Sequence, residues 1–259
     1  MKHLMIRADD LGYSEGVNYG ITKAVKDGVI RMVGFMVNMP ATEHGYELVR
    51  NVENLCLGQH TNICIGRPLT DPSKIPSIVQ PNGEFKTSKE YRNSPEDIVN
   101  LDEVIIEIEA QYERFVEITG RQPQYFEGHA IFSKNFLKGL SIVAQRHGLK
   151  YIDVSFDGTP IDVAGHKMYM WMESMNPDYD PAETFYRMAE GAHEDAYDML
   201  IFHPGYLDDY ILHHSSLTIP RTKEAAFASS EELKQYLKEQ NIKLYTYDDM
   251  NTNMNPNYL

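Results

Sequence analysis

Short apolar runs alternate with longer segments of helical period along nearly the whole chain, and this alternation limits the fold more than any single motif does. A strand that leads through a helix to the next strand returns parallel to the first, so helices must cover the sheet. Residues 3–8, 32–38, 55–63, 124–130, 150–154, 199–202 and 243–247 read as strands. Val17, Ile21, Ala24 and Val25 mark a helix opened by Ser14 and ended at Gly28. Val104, Ile108, Tyr112, Phe115 and Ile118 mark a second, stopped by Gly120; Phe136, Leu137, Leu140, Val143 and Ala144 mark a third before Gly148. Residues 182–192 read as an acidic helix, and Ser229 with Glu232 fits a capping box for a last helix through Leu237. The 259 residues suit an α/β fold, a closed or broken (β/α) barrel of about seven parallel strands, better than an open doubly wound sheet. Residues 1–250 are expected to form this one domain and residues 251–259 a polar tail. Residues 66–95 are polar and much longer than an ordinary strand-to-helix loop, which predicts an insertion over the barrel mouth.

Charge narrows the partners. Lys and Arg number 24 against 38 Asp and Glu, a net charge of −14, which opposes binding to nucleic acid or an anionic membrane. Residues 3–8 fall far short of the ~18 apolar residues of a membrane span and lack the core of a signal peptide, so a cytoplasmic location is expected. Cys56 and Cys64 complete neither a zinc finger nor a disulfide framework and read as buried free thiols. The methionine-rich residues 168–175 read as gap-filling in a core or under a loop.

The polar residues able to do chemistry collect at the carboxyl ends of the expected strands, where ligands bind in folds of this class. Asp9 and Asp10 follow the first strand, His60 and Asn62 close the third, His129 closes the fourth, and His203 follows residues 199–202. Cys56, Gly58, His60 and Asn62 share one face of their strand, and Glu127 shares the face of His129, which it is expected to orient. One carboxylate and two imidazoles at a barrel mouth are a ligand set for a divalent ion with positions left open to water. On this reading Asp10, His60 and His129 hold one divalent ion, magnesium or zinc, Asp9 takes a proton from water, and His203 stabilises or protonates the departing group. His3, His44, His147, His166, His193, His213 and His214 are given no chemistry. Asn62, Arg67 and Arg221 are the candidates for substrate contact, while Tyr206 and the aromatics of residues 168–171 suit either a sugar face or the core.

Ala8-Asp9-Asp10-Leu11-Gly12, Met36-Val37-Asn38-Met39-Pro40, Gly58-Gln59-His60-Thr61-Asn62, Gly66-Arg67-Pro68-Leu69, Gly128-His129 and Phe202-His203-Pro204-Gly205 together resemble the YdjC-like carbohydrate, or chitooligosaccharide, deacetylase family. The resemblance implies a broken βα barrel related to polysaccharide deacetylases. It also implies metal-dependent removal of acetyl groups from N-acetylglucosamine units of short sugars. Asp9 matches the family's base, Asp10, His60 and His129 its ligands, and His203 its motif near the leaving amine. Glu127 stands before the His129 motif where many relatives have Asp, and Ala130, Ile131, Phe132 and Ser133 follow it where they carry further histidines. The expected partner is a small N-acetylated sugar, with a homodimer as the expected assembly. A metal-dependent sugar isomerase or aldolase and a non-catalytic sugar-binding protein with a degenerate site are the alternatives.

Overall fold

The computed structural model describes residues 2–250; the tail expected at residues 251–259 lies outside the described residues. In chain order the elements are β1 (His3–Leu11), α1 (Glu15–Lys26), β2 (Met32–Phe35), α2 (Thr42–Val49), β3 (Cys56–Thr61), a short 3₁₀ turn (Pro72–Lys74), α3 (Ser88–Asn93), α4 (Leu101–Thr119) and β4 (Phe126–Gly128). There follow α5 (Lys134–Arg146), β5 (Ile161–Val163), β6 (His166–Trp171), α6 (Pro181–Glu190), β7 (Tyr197–Phe202), α7 (Asp209–His214), α8 (Ile219–Ala228), α9 (Glu231–Glu239) and β8 (Leu244–Tyr245).

The strands form one curled sheet in the order β4-β3-β2-β1-β7-β6-β5, and every pair is parallel except the β5–β6 hairpin. Beside the long β1, β2 pairs from Arg7 onward and β8 pairs with Leu4 and Met5. Beyond β4 a single parallel bridge joins Phe126 to Tyr151, and among the described strands no pairing carries that edge round to β5. The fold is therefore a broken barrel, the form that the family resemblance implies.

Alternation along each strand divides the core. Leu4, Ile6 and Ala8 of β1 pack outward with Val33, Leu57, Leu200 and Phe202 against Val17 and Ile21 of α1. Met5, Met32, Cys56, Tyr125, Met199, Ile201 and Tyr247 fill the interior. Ser14 caps α1 by accepting a hydrogen bond from the Val17 amide at 3.2 Å, and Asn100 and Ser133 cap α4 and α5 in the same way. Both cysteines are free and buried.

Several elements differ from the reading of the sequence. Residues 150–154 give only the Tyr151 bridge, and the methionine-rich segment supplies β6 in the sheet rather than loop cover. The β5–β6 turn explains the miss: Ala164 and Gly165 both have positive φ, 52° and 83°, and alanine is a poor signal for that conformation. The last helix is capped by Ser230 rather than Ser229, whose hydroxyl instead donates to the Ala225 carbonyl. The short α2, α7 and α8 lack a periodic apolar stripe long enough to be read. Residues 66–95 are a packed excursion: Ile75, Ile78 and Phe85 are buried in a second cluster with α4 and α5, and Thr87 with Glu90 forms a capping box on α3.

Gly58 lies under the Tyr125 ring so closely that an added Cβ would fall against the ring carbons. We expect Gly58→Ala to lower unfolding free energy by about 1–3 kcal/mol through overpacking, measured by denaturant titration. Wild-type stability would show that the interior has slack here.

Candidate metal centre and cavity

The site begins with an irregularity in β1. Ala8 pairs with Val33 and Leu11 with Phe35, so three steps along β1 oppose two along β2, and the extra residue is absorbed at Asp9 and Asp10. Asp10 takes φ 80°, a left-handed conformation that aspartate tolerates better than most residues. Strict alternation would send Asp10 outward like Ala8. The bulge turns it inward beside Asp9, and both carboxylates are buried at the barrel mouth. Gly34 on β2 leaves room for them, since a Cβ there would stand 2.9 Å from Asp9 Oδ1.

Three donor atoms converge at this point. His60 Nε2 and His129 Nδ1 are 2.9 Å apart, and Asp10 Oδ1 lies 3.2 Å from the first and 3.1 Å from the second. Ligands about 2.1 Å from one ion and at right angles to each other stand roughly 3.0 Å apart, so the triangle has the edges of three facial positions. Asp10 Oδ1 is buried and makes no aligned hydrogen bond despite its two close nitrogens, which is the behaviour of an atom that needs a cation. The residues thus fit a divalent ion.

The surrounding groups fix the triangle. Arg221 Nη2 donates to Asp10 Oδ2 at 2.7 Å, leaving Oδ1 toward the two imidazoles. Glu127 Oε1 pairs with His60 Nδ1, so a proton on Nδ1 presents the Nε2 lone pair. This corrects the expectation from strand parity, which gave Glu127 to His129. Because β3 and β4 pair with His60 beside Glu127, the carboxylate reaches across the sheet rather than along its own strand. His129 is held through its backbone, whose N–H donates to the Thr61 carbonyl at 2.8 Å. Arg7 grips Asp9 with two hydrogen bonds of 2.7 Å and also reaches Glu127 Oε2 at 3.4 Å. Asp9, His60 and Glu127 form a second group of possible ligand geometry, but Arg7 and the His60–Glu127 pair already engage its atoms.

Burial and charge set the proton affinities. Burial alone would raise Asp10, but Arg221 and His129 hold it well below the usual carboxylate range. Burial opposes charge on His60 and His129 too, yet Glu127 and Asp9 carry His60 well above its ordinary value and Asp10 carries His129 to about 9. His203 differs: burial pushes it down to about 4, so the ring is neutral, and its Nδ1 is buried without a partner. Its backbone N–H donates to Glu224 Oε2 at 2.5 Å, and the Tyr179 hydroxyl donates to Glu224 Oε1 at 2.8 Å. Burial raises that carboxyl to about 8.

A cavity of about 580 Å³ opens above these groups, and Asp9, Asp10, His60, Glu127, His129, His203 and Arg221 all line it. Two expected substrate contacts lie elsewhere. Asn62 spends its side chain on the Ile65 carbonyl and the Cys64 amide, fastening the start of the insertion, and Arg67 is exposed and turned to the Asn82 carbonyl. Arg221 does line the cavity, but it is buried and committed to Asp10. Tyr206 is not a lining residue, and the Trp171 indole donates to Asp198. The insertion contributes Ser88 and Arg92 to the wall, and His214, given no role from sequence, lines it as well. Arg7 and Glu224 escaped the reading of the sequence. Arg7 had a signal, a charge two residues before Asp9 on the interior face of an otherwise apolar strand.

The profile of the YdjC-like protein family matches residues 3–239. The chain belongs to this family. Carbohydrate deacetylase 2 of Listeria innocua is 33% identical over 255 residues, covering 95% of this chain and 98% of that one. The chitooligosaccharide deacetylase of Citrobacter koseri is 27% identical over 256 residues, with 95% and 98% covered. A crystal structure from Enterococcus faecalis V583, of a candidate cellobiose-phosphate cleavage protein, superimposes with a TM-score of 0.81 at 25% identity, covering 95% and 98%. A Streptococcus mutans CE4 esterase shares the fold more distantly, with a TM-score of 0.54 at 13% identity over 94% of this chain and 84% of that one.

The raised imidazoles of this YdjC-like protein give a pH test. Without metal, the surrounding carboxylates favour a proton on this imidazole pair, and a cation must displace it, so affinity rises with pH toward about 9, the value for His129. A folded-state pKa above the unfolded value stabilises fully below about 6.5 and ceases to do so as pH passes about 9. We expect the melting temperature gained on adding a divalent ion to chelator-treated protein to be larger near pH ~8.5 than near pH ~6. An equal gain at both would contradict the ligand set.

Proposed function

We propose that this chain is a metal-dependent N-deacetylase acting on N-acetylglucosamine units of short sugars. The observation that carries the reading is the Asp10–His60–His129 triangle with a second carboxylate, Asp9, at its side. The names of the relatives support the substrate class. Asp10, His60 and His129 would hold the ion, and two imidazoles among three ligands favour zinc over magnesium. When bound, the ion polarises the acetyl carbonyl and makes water more acidic.

The remaining steps belong to side chains. Asp9, aimed by the bidentate Arg7 clamp, accepts the proton of the attacking water. The water oxygen bonds to the acetyl carbon, the carbon–nitrogen bond breaks, and the proton held by Asp9 passes to the departing nitrogen; the acetic acid formed loses its remaining proton, leaving acetate and the amino sugar as its ammonium form. His203 enters as a neutral imidazole, so it stabilises the departing nitrogen by hydrogen bonding, while the proton itself comes from Asp9. Arg221 and Glu127 orient the ligands, and residues 66–95, through Ser88 and Arg92, influence which sugar is accepted. The same reading takes residues 1–250 as one catalytic domain in the cytoplasm, with a sugar rather than nucleic acid or membrane as partner; the net charge of −14 supports it. No helix among the described residues is long and apolar enough to cross a membrane.

The two aspartates fail differently. Asp9→Asn keeps the carboxylate's shape and leaves Arg7 its contact with Glu127, so we expect metal to stay bound while acetate release falls ~10²–10⁴-fold. Asp10→Asn puts a neutral oxygen in the triangle, so metal content should fall and activity should recover partly with excess metal. Metal analysis and an acetate assay decide; an active Asp9→Asn protein, or metal loss in it with retention in Asp10→Asn, would overturn the roles.

A further inference from the structure

Two large apolar side chains stand at the cavity rim without a place in any buried cluster. Phe132 is 58% exposed and Phe156 41% exposed, and both line the cavity that contains the ligand triangle. They come from separate segments, one after β4 and one after the Tyr151 bridge. Their rings nevertheless meet edge to face, with centroids 6.2 Å apart and planes at 83°. Such exposure beside a cavity leaves apolar area in water that a ligand would cover.

The backbone on either side of each ring is fixed. Phe132 sits between Ile131, which is buried, and Ser133, which caps α5 and bonds to Asp97. Phe156 sits inside a turn in which Ser155 and Thr159 both donate to Asp157 Oδ1 at 2.9 Å. The pair is thus held before any ligand arrives, which lowers the cost of using it.

Depth then assigns the ligand. Asp10 and His60 are buried at the cavity floor, whereas the phenyl rings are at the rim. Phe132 is three peptide units from His129, within roughly 11 Å between Cα atoms. One molecule can therefore react at the floor and rest on the rings with its next unit. Pyranose rings present a face of C–H bonds and a rim of hydroxyls, which suits an aromatic wall with polar neighbours; Asp153 and Arg92 line the same cavity.

We infer that Phe132 and Phe156 form a second sugar subsite, which stacks on the unit next to the one being deacetylated and makes the protein select oligosaccharides over the monosaccharide. The inference rests on the deacetylase reading above. Its test compares N-acetylglucosamine with its β-1,4-linked dimer at one fixed divalent-ion concentration. We expect Phe132→Ala and Phe156→Ala each to lower kcat/KM for the dimer about ten-fold, mainly through KM, with the monomer changed by less than about two-fold and Phe132→Trp close to wild type on the dimer. Equal losses on both sugars, or no loss on the dimer, would overturn the subsite. If the wild type releases acetate from neither sugar, the deacetylase reading falls instead. Calorimetric binding of the dimer then judges the subsite alone, with a weaker affinity in Phe132→Ala supporting it and an unchanged one overturning it.

Discussion

One extra residue in β1 brings two adjacent carboxylates to the same side of a strand, although alternation would separate them. Asp10 accepts a positive φ to do so, and the rest of the site is arranged around the result. Without the bulge, Asp10 would point into the apolar layer beneath α1, where a carboxylate has no partner. With it, Asp10 closes the triangle with His60 and His129, and Asp9 keeps the regular interior position above Arg7. The two jobs proposed for them, holding a cation and moving a proton, need neighbouring but distinct carboxylates, and consecutive residues supply both.

Placing three carboxylates in a barrel interior requires compensation. Arg7 serves Asp9 and Glu127 from below, and Arg221 serves Asp10 from the side. Three acidic groups against two guanidinium groups leave one negative charge. In the metal-free protein the imidazole pair answers it by holding a proton, which is why both affinities are raised. A divalent ion would answer it by displacing that proton. The same imbalance therefore favours protonation at low pH and metal at higher pH. His203 stands apart because burial outweighs the acidic charges acting on it, and it stays neutral in either state.

Much of this was legible in the chain because strand ends are marked by short apolar runs and because ligands collect at carboxyl ends. Asp9, Asp10, His60, His129 and His203 all line one cavity. What was not legible depends on relations between strands. Glu127 serves His60 because β3 and β4 lie in a particular register, and no periodicity within β4 reports that register. Glu224 reaches the His203 amide from α8, a helix whose pattern is too short to read. Asn62 and Arg67, expected at the mouth, do not line the cavity, because their side chains serve backbone groups at Cys64, Ile65 and Asn82 instead. Residues 168–175 read as packing filler because methionine signals neither strand nor helix strongly, yet Met168 to Trp171 belong to β6, the strand that extends the sheet beyond β7.

The break in the barrel has a use of its own. A closed barrel of this size fills its interior with layers of side chains and offers a ligand only the space between its loops. Here the sheet stops at the β5–β6 hairpin on one side and at the Tyr151 bridge on the other. The cavity takes its wall from both edges, Met170 and Met172 from one and Ile152, Val154 and Phe156 from the other. Residues from both edges of the seam therefore share one cavity with the ligand triangle. The flexible methionine side chains on one edge can adjust to what lies against them.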